Sequence, residues 1–372
     1  MVNVAITANT SWYIYNFRKN TILSLIEKGY QVFAIAPIDE YSDKLEKLGC
    51  TFKPVAIDQS GKNPFKDVIT FIRFLKIYHE IRADVTLNFT PKNNIYSTLA
   101  AKIYGVRSIN NIAGLGVLFI NEGFITKLAR FLYKFSQCYA SKIFFQNEED
   151  RAIFLENKMA REEITERLPG SGVDINRFTV KPALDDGTTR FLLIARMLFD
   201  KGIGHYVDAA RAIKNKYNPK VEFYLLGFLD VNNPSSVSKA QMQSWVDEGV
   251  VNYLGVSDRV EDYIAMSDCV VLPSFYREGV PKSLLEAGAM GKPIITTDNV
   301  GCRETVEHGI NGFLCEPRST ESLTIMLEKI INMGYQDRLK MGNNSRRKIE
   351  MEFNEKIVID KYIKAINELI CR

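Results

Sequence analysis

The chain has 372 residues, with 48 Lys and Arg against 44 Asp and Glu, a net charge of +4. At roughly 100–200 residues per domain, that length fits two domains and excludes a small disulfide-held scaffold, while 46% hydrophobic and 25% charged residues exclude wholesale disorder. Residues 1–184 carry 24 cations against 18 anions and residues 185–372 carry 24 against 26, so the first half either suits an anionic partner or holds a bland surface fluctuation.

Short apolar runs alternate with amphipathic stretches, the pattern of parallel α/β units. In the first half, strands are expected at residues 2–8, 31–36, 52–57, 84–89, 108–112 and 142–146. Helices are expected at 15–28, 64–81, 95–104, 125–141 and 148–158. Turn-rich residues 168–178 and the polar stretch behind them read as a linker. A second series follows, with strands at 190–195, 221–226, 251–254, 269–273, 293–297 and 312–315. Its helices fall at 202–216, 238–248, 260–266, 282–290, 319–333, 336–350 and 354–370. The expected fold class is α/β, with two Rossmann-like doubly wound domains and a ligand cleft at the carboxyl ends of their strands. Cys50, Cys138, Cys269, Cys302, Cys315 and Cys371 form no C-x-x-C pair, so they read as core thiols in a reducing compartment rather than a zinc module. With no run of 18 apolar residues and no basic leader with a cleavage site, the expectation is a cytosolic chain.

The stretch "FYREGVPKSLLEAGAM" (275–290) places Glu278 and Glu286 around a strand-to-helix turn. Gly279 permits close backbone approach, and Pro281 fits the first helical turn. The helix start then offers free amides and a positive dipole end to a diphosphate. Glu278 is placed to accept from sugar hydroxyls and Glu286 from a vicinal diol such as ribose; the plain alternative is a turn with two solvated glutamates. Ahead of the helix expected at 202–216, Arg196 and Lys201-Gly202 follow the strand "RFLLIA", where two cations beside a helix start make a pyrophosphate clamp. As isolated residues they would be solvated surface cations.

Together with "GSGVDINRF" (170–178), these strings resemble the family 4 retaining glycosyltransferases of GT-B fold. "NFRK" (16–19), "AGLG" (113–116) and "LARFLYK" (128–134) resemble the subgroup that extends polyprenyl-diphosphate-linked sugars in bacterial surface-polysaccharide or glycoprotein-glycan assembly. The resemblance implies an N-terminal acceptor domain (residues 1–175 plus the helix 354–372) and a C-terminal donor domain (185–353). It assigns Arg196, Lys201 and Glu278 to catalysis. It assigns Gly227, Gly255, Val256, Arg259, Val260, Gly279, Val280, Pro281 and Glu286 to the donor. Asn9, Thr10, Ser11, Trp12, Arg18, Lys92, Gly114 and Gly116 fall to an acceptor or phosphate loop, with the turn at 9–12 approaching either the donor phosphate or the acceptor. The implied donor is a UDP-sugar, with N-acetylgalactosamine ahead of N-acetylglucosamine and galactose; the acceptor is a polyprenyl-diphosphate-linked glycan.

Many members carry a histidine after the strand preceding residue 95. Here the stretch reads Asn88-Phe89-Thr90-Pro91-Lys92, and His79, His205 and His308 lie elsewhere, so no catalytic histidine is carried over. Lys92 is either a cation at this mouth or a surface lysine. The sequence shows no convincing D-x-D string, so no metal is expected. In the helix at 125–141, Lys127, Arg130 and Lys134 share a face beside Leu128, Phe131, Leu132 and Phe135. Two readings fit that stripe: an element lying in an anionic membrane surface, or a core-facing stripe with solvated cations. An epimerase of the same fold and a non-catalytic sugar-nucleotide sensor are the alternatives to transfer; the first normally needs histidines around the sugar.

Overall fold

A computed structural model describes residues 1–58, 64–115, 124–217, 220–231 and 233–371. The chain divides into two compact units, one of Met1–Ser171 with Lys356–Arg372 and one of Gly172–Glu355.

In the first unit the order is β1 (Asn3–Thr7), α1 (Ser11–Glu27), β2 (Gln31–Ala36), α2 (Ser42–Glu46), β3 (Thr51–Pro54), α3 (Pro64–Ile81) and β4 (Val85–Phe89). It continues with α4 (Pro91–Ile103), β5 (Arg107–Ile112), α5 (Phe124–Gln137), β6 (Lys142–Phe145), α6 (Glu148–Glu156) and β7 (Thr165–Arg167). The sheet is wholly parallel, in the order β3-β2-β1-β4-β5-β6-β7. Strands covered on both faces bury both sets of side chains, so β4 is buried throughout although its sequence VTLNF alternates apolar and polar residues. Successive β1 side chains still point to opposite layers. Val4 and Ile6 pack with Ile14 and Ile22 of α1, whereas Ala5 packs with Phe74 and Tyr78 of α3 and Tyr133 of α5. A buried polar seam crosses the sheet, where the Asn88 side-chain Oδ1 accepts from the hydroxyls of Thr7, Thr86 and Ser97.

The second unit runs β8 (Thr189–Ile194), α7 (Ile203–Tyr217), β9 (Val221–Leu226), α8 (Lys239–Asp247), β10 (Asn252–Tyr253), α9 (Val260–Met266) and β11 (Cys269–Leu272). Then come α10 (Lys282–Ala289), β12 (Ile294–Thr297), β13 (Gly312–Cys315), α11 (Thr320–Asn332) and α12 (Tyr335–Glu352). Its sheet is parallel, ordered β10-β9-β8-β11-β12-β13. The order reverses between β8 and β11, and at such a switch point diverging loops leave a crevice beyond the carboxyl ends of the strands. The last helix, α13 (Glu355–Ile370), returns to the first unit, where Val358, Tyr362 and Ile366 join the core with Val4 and Leu87.

Some local expectations need correction. The first helix starts at Ser11 rather than residue 15, because the Thr10 side chain accepts from the Tyr13 amide and caps it. Helix α2 and strand β7 were not anticipated; the three residues of β7 pair beside β6. Cys138 and Cys371 are exposed, unlike the other four cysteines. Cys138 lies just past the end of α5 on its outer side, and Cys371 follows α13.

Candidate donor site

Two loops of the second unit meet at the switch point. After β8 the chain passes Arg196, makes a 3₁₀ turn over Phe199–Lys201, and enters α7 through Gly202 at φ +79°. A Cβ at Gly202 would stand 2.1 Å from the Pro273 carbonyl oxygen; only glycine allows this contact and this backbone angle together. The approach continues beyond it, since the amides of Phe275 and Tyr276 donate to the Asp200 carbonyl at 3.1 and 3.2 Å. The loop after β11 is braced from the other side. Thr297 donates to the Ser274 carbonyl, Asn299 donates to that of Tyr276 at 2.9 Å, and Gly301 leaves no room for a Cβ against the Gly279 carbonyl.

The result is a direct ion pair between the Lys201 ammonium and Glu278 Oε1, whose side chains are only 14% and 12% exposed. The Ser274 hydroxyl donates to the same carboxylate oxygen at 2.8 Å, and the Tyr276 ring lies 5.4 Å from the ammonium. Arg196 is exposed, and its guanidinium makes no ion pair among the described residues. Thus Lys201 and Glu278 sit together, while Arg196 stands at the surface a few residues upstream.

Helix α10 starts at Lys282, with Pro281 as its N-cap rather than inside its first turn. Val280 anchors the turn in the core with Leu284 and Leu285, and Gly279 is buried beside it. Glu286, one turn into α10, is buried. Loss of water raises its pKa to about 7, although Lys282 and Arg177 oppose the rise and Glu261 adds to it. Arg177, from "GVDINRF", donates to Glu261 at 2.8 Å and to the Asp258 carbonyl at 2.9 Å. The loops after β9 and β10 also touch: the Gly227 amide donates to the Gly255 carbonyl at 2.7 Å, and Tyr253 Oη donates to the Gly227 carbonyl at 2.8 Å. Gly227 has φ +143°, and a Cβ there would lie 1.8 Å from the Ala195 carbonyl oxygen. Val256 is exposed; Arg259 precedes α9, turns its guanidinium to Asp262 at 2.8 Å, and Val260 opens the helix.

The first-unit residues are more scattered. Asn9 and Thr10 are half-buried before α1, but Ser11 is buried and donates to the Pro37 carbonyl at 2.7 Å, and the Trp12 amide donates to Asp39 at 3.0 Å. Arg18 is 1% exposed, with its guanidinium 4.1 Å from the Phe89 ring centre. That places it inside the unit as a cation on aromatic faces, not on an open loop. Lys92 gives its ammonium to Asp67 at 2.6 Å, so of its two readings the structure shows a paired lysine at the start of α4. Gly114 is half-buried at φ +111°; Gly116 lies outside the described residues. On α5 the stripe divides: Leu132 and Tyr133 pack inward, while Leu128, Phe131 and Phe135 are exposed beside Lys127 and Lys134, with Arg130 half-buried.

Sequence reasoning missed the braces Ser274, Thr297, Asn299 and Gly301, and the partnership of Arg177 with Glu261. Only the glycine after the strand at 294–297 carried a local signal for any of them.

Residues 174–348 match the family model described as glycosyl transferases group 1, and residues 3–147 match glycosyl transferase 4-like. The chain is 29% identical, over 96% of each sequence, to the N,N'-diacetylbacillosaminyl-diphospho-undecaprenol alpha-1,3-N-acetylgalactosaminyltransferase of Campylobacter jejuni. It is 24% identical to the UDP-Gal:alpha-D-GlcNAc-diphosphoundecaprenol alpha-1,3-galactosyltransferase of Escherichia coli, over 80% of this chain and 78% of that one. Among solved structures, HepE of Anabaena in complex with UDP-glucose matches with a TM-score of 0.80 at 18% identity over 100% of both chains. The two parallel α/β units are therefore those of the GT-B fold. The chain belongs to the group 1, family 4-like glycosyltransferases, and is an enzyme of glycosyl transfer.

Proposed function

We propose that this enzyme moves N-acetylgalactosamine from its UDP conjugate to a polyprenyl-diphosphate-linked glycan, with retention at the anomeric carbon, in the assembly of a bacterial surface polysaccharide or glycoprotein glycan. The observation that carries the reading is the Lys201–Glu278 pair at the switch point of the second sheet. Each charge is held there with little water and, among the described residues, is ion-paired to the other alone. An entering diphosphate competes for Lys201, and Glu278, released, turns to the hydroxyls of the donor sugar. Glu286 takes the ribose diol. Gly279, Val280, Pro281, Gly227, Gly255, Val256, Arg259 and Val260 line the donor, mainly through backbone. The names of the Campylobacter and Escherichia relatives, both transferases to diphosphoundecaprenol-linked sugars, support the acceptor class.

In this reaction the bond from the anomeric carbon to the diphosphate oxygen breaks. The acceptor oxygen bonds to the same face of the sugar, and its proton passes to the leaving diphosphate. Arg196, Lys201 and the first amides of α10 stabilise the charge that grows on the departing oxygen. No protein nucleophile and no divalent metal is assigned a step, so turnover should survive chelation by EDTA. The acceptor's diphosphate and glycan fall to Asn9, Thr10 and Gly114 in the first unit. The exposed cations and apolar residues of α5 hold the enzyme on the inner face of the cell membrane. Among the described residues no helix is long and apolar enough to cross it. Incubation with a panel of UDP-sugars and lipid-linked mono- and disaccharides tests the whole reading. Transfer of N-acetylgalactosamine with an α-linkage supports it; an isomerised donor, or binding without transfer, defeats it.

A further inference from the structure

Helix α3 carries a second exposed apolar stripe that the donor chemistry does not use. Phe65, Val68, Ile69 and Ile72 recur at i, i+3, i+4 and i+7, which puts them on one face, and they are 79%, 56%, 47% and 43% exposed. The opposite face of the same helix, with Phe74, Ile77 and Tyr78, fills the core. A helix needs only one apolar face to fold against a sheet, so the outer stripe costs solubility without adding to the core.

Its surroundings point to what covers it. Arg73 and Lys76 are exposed next along the helix. The two acids of α3 are engaged elsewhere, Asp67 with Lys92 at 2.6 Å and with the Tyr96 hydroxyl at 2.9 Å, and Glu80 with Lys53. The stripe is therefore flanked by cations while its own carboxylates are neutralised. In a parallel sheet each crossover helix begins at the carboxyl ends of the strands, so Phe65–Ile72 lie at that end of the unit. Helix α5 shares the layer through α4 and also carries exposed large apolar residues, Leu128, Phe131 and Phe135, beside Lys127 and Lys134.

We infer that Phe65, Val68, Ile69 and Ile72 of α3 embed in an anionic phospholipid surface, as a second docking element beside α5. Two inserted helices fix the orientation of the unit on the bilayer where one would leave it free to roll. Its use in catalysis rests on the lipid-linked acceptor proposed above; the docking itself does not.

The test is flotation of the full chain with vesicles of phosphatidylcholine and phosphatidylglycerol in equal parts, against phosphatidylcholine alone. The double variant Phe65→Ser/Ile69→Ser should partition about tenfold more weakly, from the partial burial of two large apolar side chains. A second pair, Val68→Ser/Ile72→Ser, should do the same, with a cooperative thermal transition kept in both and lowered by only a few degrees, because the residues are 43–79% exposed. Wild-type partitioning by both variants overturns the inference. So does a wild-type dimer in the absence of vesicles that either variant converts to monomer, since the stripe would then be a self-association face. Flotation needs neither donor nor acceptor, so its outcome stands apart from that of the transfer assay. Where transfer is measured, the variants should slow only with a long-chain acceptor in vesicles, and equal slowing with a short-chain acceptor in solution counts against the inference.

Discussion

The coupling of Lys201 to Glu278 can be taken apart by a double-mutant cycle of Lys201→Met, Glu278→Gln and both together. Lys201→Met leaves the Glu278 carboxylate with the Ser274 hydroxyl as its near neighbour, and Glu278→Gln leaves the ammonium beside a neutral amide and the Tyr276 ring. Stranding one charge of a fully buried pair costs about 3–5 kcal/mol. Here the side chains keep 14% and 12% of their exposure, so each single variant should lose about 2–3 kcal/mol. The double variant strands no charge and should return to within about 1 kcal/mol of the parent. Trp245 in α8 reports on the same unit, so urea unfolding followed by its fluorescence, in a Trp12→Phe background, reads the right transition. Turnover should behave differently. Lys201→Met should lower it by about 10²–10³, the range for removing one preorganised partner of a developing charge, and the double variant should not regain it. Additive losses of stability would refute the ion pair as an energetic unit, and near-normal turnover by Lys201→Met would refute its place at the leaving group.

Glu286 makes a pH prediction. Its folded pKa of about 7 lies above the ordinary 4.5 because burial disfavours the charge, so between these values the folded state holds a proton that the unfolded chain has released. Stability should fall as pH rises from about 4.5 to 7, by about 3 kcal/mol at most, and Glu286→Gln should flatten this dependence in urea titrations. If the carboxylate binds ribose, KM for the UDP-sugar should rise as pH falls below about 7 in the parent and stay flat in Glu286→Gln. Gly301→Ala should abolish donor binding, measured by calorimetry with UDP, because its Cβ would fall 1.6 Å from the Gly279 carbonyl oxygen. Gly255→Ala at φ +75° meets no atom within 4 Å and should cost only the left-handed strain, about 1–2 kcal/mol. Replacing Lys127, Arg130 and Lys134 by Gln should weaken partitioning to anionic vesicles about 100-fold at low salt, at about 1 kcal/mol per cation; an unchanged partition would remove α5 from the membrane.

What the sequence showed follows from what is local. The strand runs and helix periods indicated the two parallel sheets, because burial on both faces leaves an unbroken apolar run such as "VAI" in β1. The Thr10 cap was also local, but the aromatic run behind it masked the start of α1. Strand β7, "TER", is too short and polar to have a period, and exists through its register with β6. At the site, the motif residues were legible and their partners were not. Lys201 and Glu278 are 77 positions apart, and nothing in either string says that they meet. The resemblance offers Arg18 and Lys92 to the acceptor or a phosphate; aromatic rings and Asp67 claim them only in three dimensions. Periodicity likewise identifies the stripe on α3 without telling what lies against it, so an outward face and a core face read alike.

A crystal structure of the enzyme with UDP bound tests the central claim most directly. The account predicts that the Lys201 ammonium has left Glu278 for a diphosphate oxygen, with Arg196 drawn in, the first amides of α10 donating to the phosphates and Glu286 on the ribose. Nucleotide bound elsewhere, with Lys201 still on Glu278, would contradict it.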